Sequence, residues 1–149
     1  MMRRTSGFTL VELMITVVIV AVLASLALAS YSKYVIRAHR TEGRNALLAL
    51  ASAQEKYYLA NNTYAGTAIS LTAAPPTGLG LGLNGTQTQN GWYTVAITAG
   101  SANGYTATAT TTGSQTTDAD CQVFTVTQAQ AETATNSGGT DNSTTCWAK

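Results

Sequence analysis

The feature that most constrains this chain is a run of about 22 residues, FTLVELMITVVIVAVLASLALA at positions 8–29, that carries a single charged side chain. In a helix rising about 1.5 Å per residue, such a run covers the roughly 30 Å of a bilayer's hydrocarbon core. The start of the chain does not follow the order of a secretory signal, in which a short apolar core of about 7 to 15 residues precedes the cleavage site. Arg3 and Arg4 supply a basic start, but the small residue Gly7 stands before the apolar run. A cut after Gly7 therefore leaves the hydrophobic segment on the mature protein.

Glu12 is the second constraint. An acidic side chain near the start of a membrane helix costs about 2.5 to 3.5 kcal/mol on insertion scales unless something pairs with it. If the chain is cut between Gly7 and Phe8, the new α-amine of Phe8 is a cation one helical turn from Glu12. The amine can belong to the same chain or to a neighbouring copy. Glu12 resting at headgroup depth is the alternative.

The stretch GFTLVELMITVVIVAVL, from Gly7 onward, resembles the N-terminal signature of type IV pilins. The resemblance implies that a prepilin peptidase, which is also the N-methyltransferase, cuts between Gly7 and Phe8 and methylates Phe8. It implies that Glu12 docks against the N-terminal amine of an adjacent subunit. It further implies an α+β fold, with a long N-terminal helix packed on an antiparallel β-sheet and a disulfide-bounded C-terminal region. The implied role is that of a structural subunit serving filament biogenesis, twitching motility and adhesion. The implied partners are other pilin subunits, an inner-membrane assembly platform and its motor. Before assembly the membrane is itself a partner, because the precursor is expected in the bacterial inner membrane with a periplasmic head. After assembly the chain is expected in an extracellular pilus, with no cofactor. Arg3 and Arg4 are expected on the cytoplasmic side.

The chain departs from the common pilin pattern at Ala21 and Ala29, where many pilins have Gly and Pro. Both changes favour helix, since Gly and Pro cost about 1 and 3 kcal/mol relative to Ala in a helix interior. Within the family, Arg40 to Leu50 and the stretch from Asp118 to Trp147 most resemble PilE-type minor pilins. A major pilin, a minor pseudopilin of a type II secretion system, and a tip component binding DNA or a surface are the alternatives.

The expected division is a leader over residues 1–7, an apolar helix over 8–29, an amphipathic continuation over 30–60, and a β-sheet head over 61–149. In the continuation, Ile36, Gly43, Leu47, Leu50, Ala51 and Tyr58 fall on one face at helical spacing. Gly43 is the weakest point of that helix. Lys33, Arg37, Arg40 and Arg44 line up as a basic stripe, open to lipid headgroups, to an acidic patch on another subunit, or simply to solvent. The one histidine, His39, is expected to be exposed. It has no triad or metal partner at suitable spacing, so no catalytic residue and no metal site is assigned.

Asn61, Asn62 and Gly66 mark the helix end, and Pro75, Pro76 and four glycines from Gly78 to Gly85 make a long irregular connection. The GLGLG run within it has no strand before it and no helix after it, so it is not a dinucleotide fingerprint. Strands are expected at Trp92–Thr98, Tyr105–Thr110 and Val123–Thr127, with a hairpin turn at Asn103–Gly104. Cys121 and Cys146 read as a disulfide contributing roughly 3.5 kcal/mol in an oxidising compartment, with two buried free thiols as the alternative. Past Lys56 the only cation is Lys149, against Asp118, Asp120, Glu132 and Asp141. This mildly acidic part offers no field for a phosphate backbone, so nucleic acid is an unexpected partner for the head.

Overall fold

The computed structural model describes residues 7–148, apart from the Ala29 side chain, so Arg3, Arg4, most of the expected leader and Lys149 lie outside the described residues. The chain divides into two compact units, Met1–Val35 and Ile36–Lys149. Helix α1, Leu10–Asn61, contributes to both.

In the first unit, α1 begins with a reciprocal cap. The Glu12 amide donates to Thr9 Oγ1 at 3.2 Å, and the Thr9 amide donates to Glu12 Oε2 at 3.4 Å. This is a capping box, which satisfies amides at the helix start that have no intrahelical acceptor. The hydroxyls of Thr16 and Ser25 donate back to the carbonyls of Leu13 and Val22, so they present no unbonded donor on the apolar stretch. The large apolar side chains from Leu10 to Leu28 are 53–73% exposed. A helix that is apolar on every face needs lipid or other protein around it. Its most apolar window has a mean hydropathy of 2.7, long and apolar enough to cross a membrane.

In the second unit, Arg40, Gly43, Leu47, Leu50 and Gln54 form the buried stripe of α1. Ile36, Ala51 and Tyr58, expected on this face, are half-buried at its margins. The sheet is antiparallel, in the order β1–β2–β3–β4, with β1 at Tyr93–Ser101, β2 at Gly104–Thr111, β3 at Val123–Thr127 and β4 at Glu132–Thr135. Tyr93, Val95 and Ile97 of β1, Tyr105, Ala107 and Ala109 of β2, and Phe124 and Val126 of β3 point into one core with Leu47 and Leu50. The alternating pattern in the sequence selects this face. The opposite face carries cross-strand threonine pairs, Thr94 with Thr110, Thr106 with Thr127 and Thr108 with Thr125.

At Gly43 the sheet comes close against the helix. A Cβ there would stand 2.9–3.0 Å from the ring of Tyr93, which is fully buried. The residue that weakens the helix by propensity is thus the one that admits the aromatic ring. The helix ends at Asn61, and Asn62 follows in the left-handed region with φ 55°, its amide donating to the Tyr58 carbonyl at 2.8 Å. Four residues into the loop, Ala65 is clamped by buried Gln54, whose amide group donates to Ala65 O and accepts from Ala65 N at 3.0 and 2.8 Å. Leu71 and Leu79 then anchor the irregular connection to the core.

Three strands stand where alternation placed them, although β1 runs on to Ser101 past a bulge between Ile97 and Ala99. The hairpin turn is Ala102–Asn103, one residue earlier than expected, because Gly104 pairs with Ser101 inside the ladder. The fourth strand, β4, was not expected. It buries only Ala134, so its sequence carries no alternation of its own. Its outer side is covered rather than left as an open edge. Trp147 Nε1 donates to the Thr133 carbonyl at 2.9 Å, and the Ala134 amide donates to Ser143 Oγ at 2.9 Å. Ser143 opens a single helical turn, α2, at Ser143–Cys146. The Cys121–Cys146 disulfide, with Cα atoms 5.7 Å apart, ties that turn to the entry of β3.

Candidate functional site

The residues singled out by the sequence fall in three places. Gly7 and Phe8 lie in the irregular segment before α1, Phe8 is 78% exposed, and the space around Gly7 is open. Glu12 stands in the first turn of the helix with its carboxylate on Thr9. An amine brought to this turn would meet a carboxylate already positioned by the cap.

The basic residues do not form one outward stripe. Lys33 and Arg37 are exposed and carry no hydrogen bond or ion pair among the described residues. Arg40, expected to face lipid, another subunit or solvent, instead points inward. It is 6% exposed and donates from Nε and Nη2 to the two carboxylate oxygens of Asp118, each at 2.7 Å. Nη2 also reaches Asp120 at 3.4 Å. Burial works against the Arg40 charge, but the hydrogen bonds and charges of Asp118 and Asp120 more than offset it and raise its pKa above the ordinary value. Arg44 donates to the Ala148 carbonyl at 2.7 Å and to Thr41 Oγ1 at 3.2 Å, which holds the C-terminal end against α1. The helix phase alone put these residues on one side, and a carboxylate 78 positions later took Arg40 out of it.

His39 also differs from expectation. It is half-buried, stacked on the Trp92 indole with ring centroids 4.1 Å apart and planes 12° from parallel. Its Nδ1 meets Gln115 Oε1 at 3.1 Å. Gln115, 1% exposed in the 3₁₀ turn Gly113–Thr117, donates through Nε2 to the Ile36 carbonyl, the Tyr93 hydroxyl and Asp118. With Nε2 donating, Oε1 is left to accept, so His39 Nδ1 carries the proton in this pairing. Gln115 is thus a buried hub joining α1, β1 and the ion pair. Nothing in the sequence marked it, because a glutamine in a Thr/Ser-rich stretch reads as solvated.

Beyond α1, the disulfide, α2 and β4 form a closed region at one end of the sheet, and its polar excursion from Asn136 to Thr140 is held by Asn136. The Asn136 side chain accepts from the amides of Gly138 and Thr140 at 2.9 and 3.0 Å. The Asp141 carboxylate accepts from the Ser143 amide and hydroxyl, and these hydrogen bonds lower its pKa.

Comparison with known proteins places matches along most of the chain. A family model described as "Type IV minor pilin ComP, DNA uptake sequence receptor" matches residues 29–125, and one described as "Prokaryotic N-terminal methylation motif" matches residues 2–28. The chain is similar to type IV major pilin protein PilA of Myxococcus xanthus, 36% identical over 50% of this chain and 34% of that protein. It is similar to type IV major pilin protein PilE1 of Neisseria gonorrhoeae, 36% identical over 65% of this chain and 55% of that protein. It is also similar to type II secretion system core protein G of Aeromonas hydrophila, 38% identical over 48% of this chain and 50% of that protein. The matches span between 34% and 60% of the length of the first three relatives.

Proposed function

Because this chain belongs to the type IV pilin family, we propose that it is a minor pilin, a structural subunit that enters a pilus through α1. Its long apolar helix, four-stranded antiparallel sheet and Cys121–Cys146 disulfide make the α+β fold of that family. The family is structural, not enzymatic. The observation that carries the reading is the first unit of the chain: a helix exposed on every apolar face, with one acid, Glu12, in its first turn. The minor assignment rests on the description of the matched family model.

In this mechanism residues 1–7 are a leader, and the precursor rests in the inner membrane with residues 61–149 in the periplasm. A prepilin peptidase cuts between Gly7 and Phe8 and N-methylates Phe8. An assembly platform and its motor then lift the subunit into the filament, where neighbouring helices replace lipid around Leu10–Leu28. The amine of an incoming Phe8 pairs with Glu12 of a subunit already in place, which removes the cost of an unpaired acid in an apolar surround.

The capping box makes this testable without damaging the helix. Glutamine also completes a capping box, so Glu12→Gln keeps the helix start and removes only the charge. Mass spectrometry of sheared filaments and of membranes should find N-methyl-Phe8 as the first residue of the wild type in both fractions. Its copy number in filaments should be far below that of the most abundant pilin. Glu12→Gln should stay at wild-type level in membranes and fall about tenfold in filaments. Filaments carrying Glu12→Gln at the normal level would sink the docking role.

A second reading, a DNA-binding subunit, is favoured by the matched model's description. The charge layout opposes it. Arg40 and Arg44 are committed internally, which leaves Lys33, Arg37 and Lys56 as the free cations among the described residues. Three phosphate contacts give a salt slope of only about −2.7. Duplex DNA titrated against the detergent-solubilised chain should therefore bind weakly at about 0.15 M salt, and a slope of about −6 or steeper would favour the DNA reading.

A further inference from the structure

Among the described residues of the second unit, most of the charged side chains are held internally. Arg40 pairs with Asp118 and Asp120, Arg44 caps the Ala148 carbonyl, Glu42 accepts from the backbone and side chain of Asn90, and Asp141 accepts from Ser143. Two cations remain, Arg37 and Lys56, both exposed and without an acceptor, and Arg37 is the only arginine of the two. Two carboxylates remain as well. Glu132 has no partner, and Glu55 has only the Tyr64 hydroxyl, at 3.4 and 3.5 Å.

Those two carboxylates line the same groove. It has a volume of about 310 Å³ and lies between Leu48, Ala51 and Glu55 of α1 and Tyr105, Val126 and Glu132 of the sheet. Its floor is apolar, and Leu48 is 47% exposed there. Two like charges facing one apolar-floored groove repel each other less when a cation stands between them. An arginine suits this place better than a lysine. Its planar fork can serve two carboxylates at once and lie against a phenol face.

Arg37 cannot reach the groove of its own chain. Positions 37 and 55 lie on one helix, about 27 Å apart at 1.5 Å per residue. We propose that the groove receives Arg37 of a second copy of this chain, set parallel and displaced by about 27 Å along α1. The contact is heterologous: each copy fills one groove and offers its own, so it extends without closing. The proposal rests on the filament reading and adds to it that copies of this subunit stand next to one another rather than scattered among other pilins.

The test is charge reversal with rescue, read as the amount of full-length processed chain in sheared filaments relative to membranes. Arg37→Glu alone, and Glu55→Arg with Glu132→Arg, should each lower the filament fraction about tenfold while membrane levels hold. The three changes together should restore it to within about threefold of wild type. Rescue requires that both sides of the contact belong to this chain. If both reversals act and the combination does not recover, the occupant is a different pilin and the proposal is overturned. If Arg37→Glu enters filaments like wild type, or Lys33→Glu falls as far as Arg37→Glu, the groove is not an Arg37 site. If the wild type itself is absent from filaments, the filament reading fails first and this contact with it.

Discussion

Arg40 and Asp118, 78 positions apart in the chain, face each other through two hydrogen bonds of 2.7 Å with side chains 8% and 2% exposed. This fork fastens the turn before the disulfide to the helix, because Asp118 also accepts from the amides of Asp120 and Cys121. Removing one partner of a buried pair strands the other charge, at about 3 to 5 kcal/mol. Arg40→Met should therefore lower the melting temperature of the detergent-solubilised chain by about 10 °C or more. Arg40→Met with Asp118→Leu should recover much of that loss. A single variant that melts with the wild type would mean that the pair contributes nothing net.

Gly43 gives a prediction of opposite sign to helix propensity. Alanine is the better helix former by about 1 kcal/mol, but its Cβ would press on the buried Tyr93 ring at 2.9 Å. Overpacking of this kind costs about 1 to 3 kcal/mol. Gly43→Ala should destabilise the head in a urea titration, and Gly43→Ala with Tyr93→Leu should cost less than the sum of the two single changes. Stabilisation by Gly43→Ala alone would show that the ring moves aside freely.

The buried phenols set an alkaline limit. Burial, and then the negative charge of Glu55 and the neighbouring Tyr64, push Tyr105 from 10.0 up to about 12. Burial likewise raises Tyr93, with Gln115 partly opposing it. A folded-state value above the unfolded one means that the native state holds the proton longer. The stability it contributes is intact below pH of about 10 and is lost as pH rises towards about 12. The melting temperature should fall across that interval, and the fall should be shallower in Tyr105→Phe. Equal slopes for the two proteins would remove Tyr105 from the account.

The features legible in the sequence are local ones. The apolar run and the order of Gly7, Phe8 and Glu12 are properties of adjacent residues, and a helix that is apolar on all sides needs no distant partner to be recognised. The alternation of Tyr93, Val95 and Ile97 likewise selects the buried face of β1, since a strand shows its two faces in its own sequence. Two cysteines leave one intrachain pairing to consider, and the structure forms it.

The features that escape the sequence depend on residues far apart. The phase of α1 puts Arg40 with Lys33, Arg37 and Arg44, but only the arrival of Asp118 decides that Arg40 is buried and Arg37 is free. His39 reads as exposed until Trp92 stacks on it, and Gln115 reads as solvated until α1 and β1 close over it. Strand β4 has almost nothing apolar to announce it and exists because β3 on one side and Trp147 and Ser143 on the other satisfy its backbone.

The sequence by itself determined the membrane-length helix, the family signature at its start and the buried face of β1, because each is encoded within a few residues. The tertiary structure alone decided which charges are spent inside the head and which remain exposed. Desolvation and ion pairing depend on where the chain brings opposite charges together, and that distance is set by the packing of the sheet on α1, not by position along the chain.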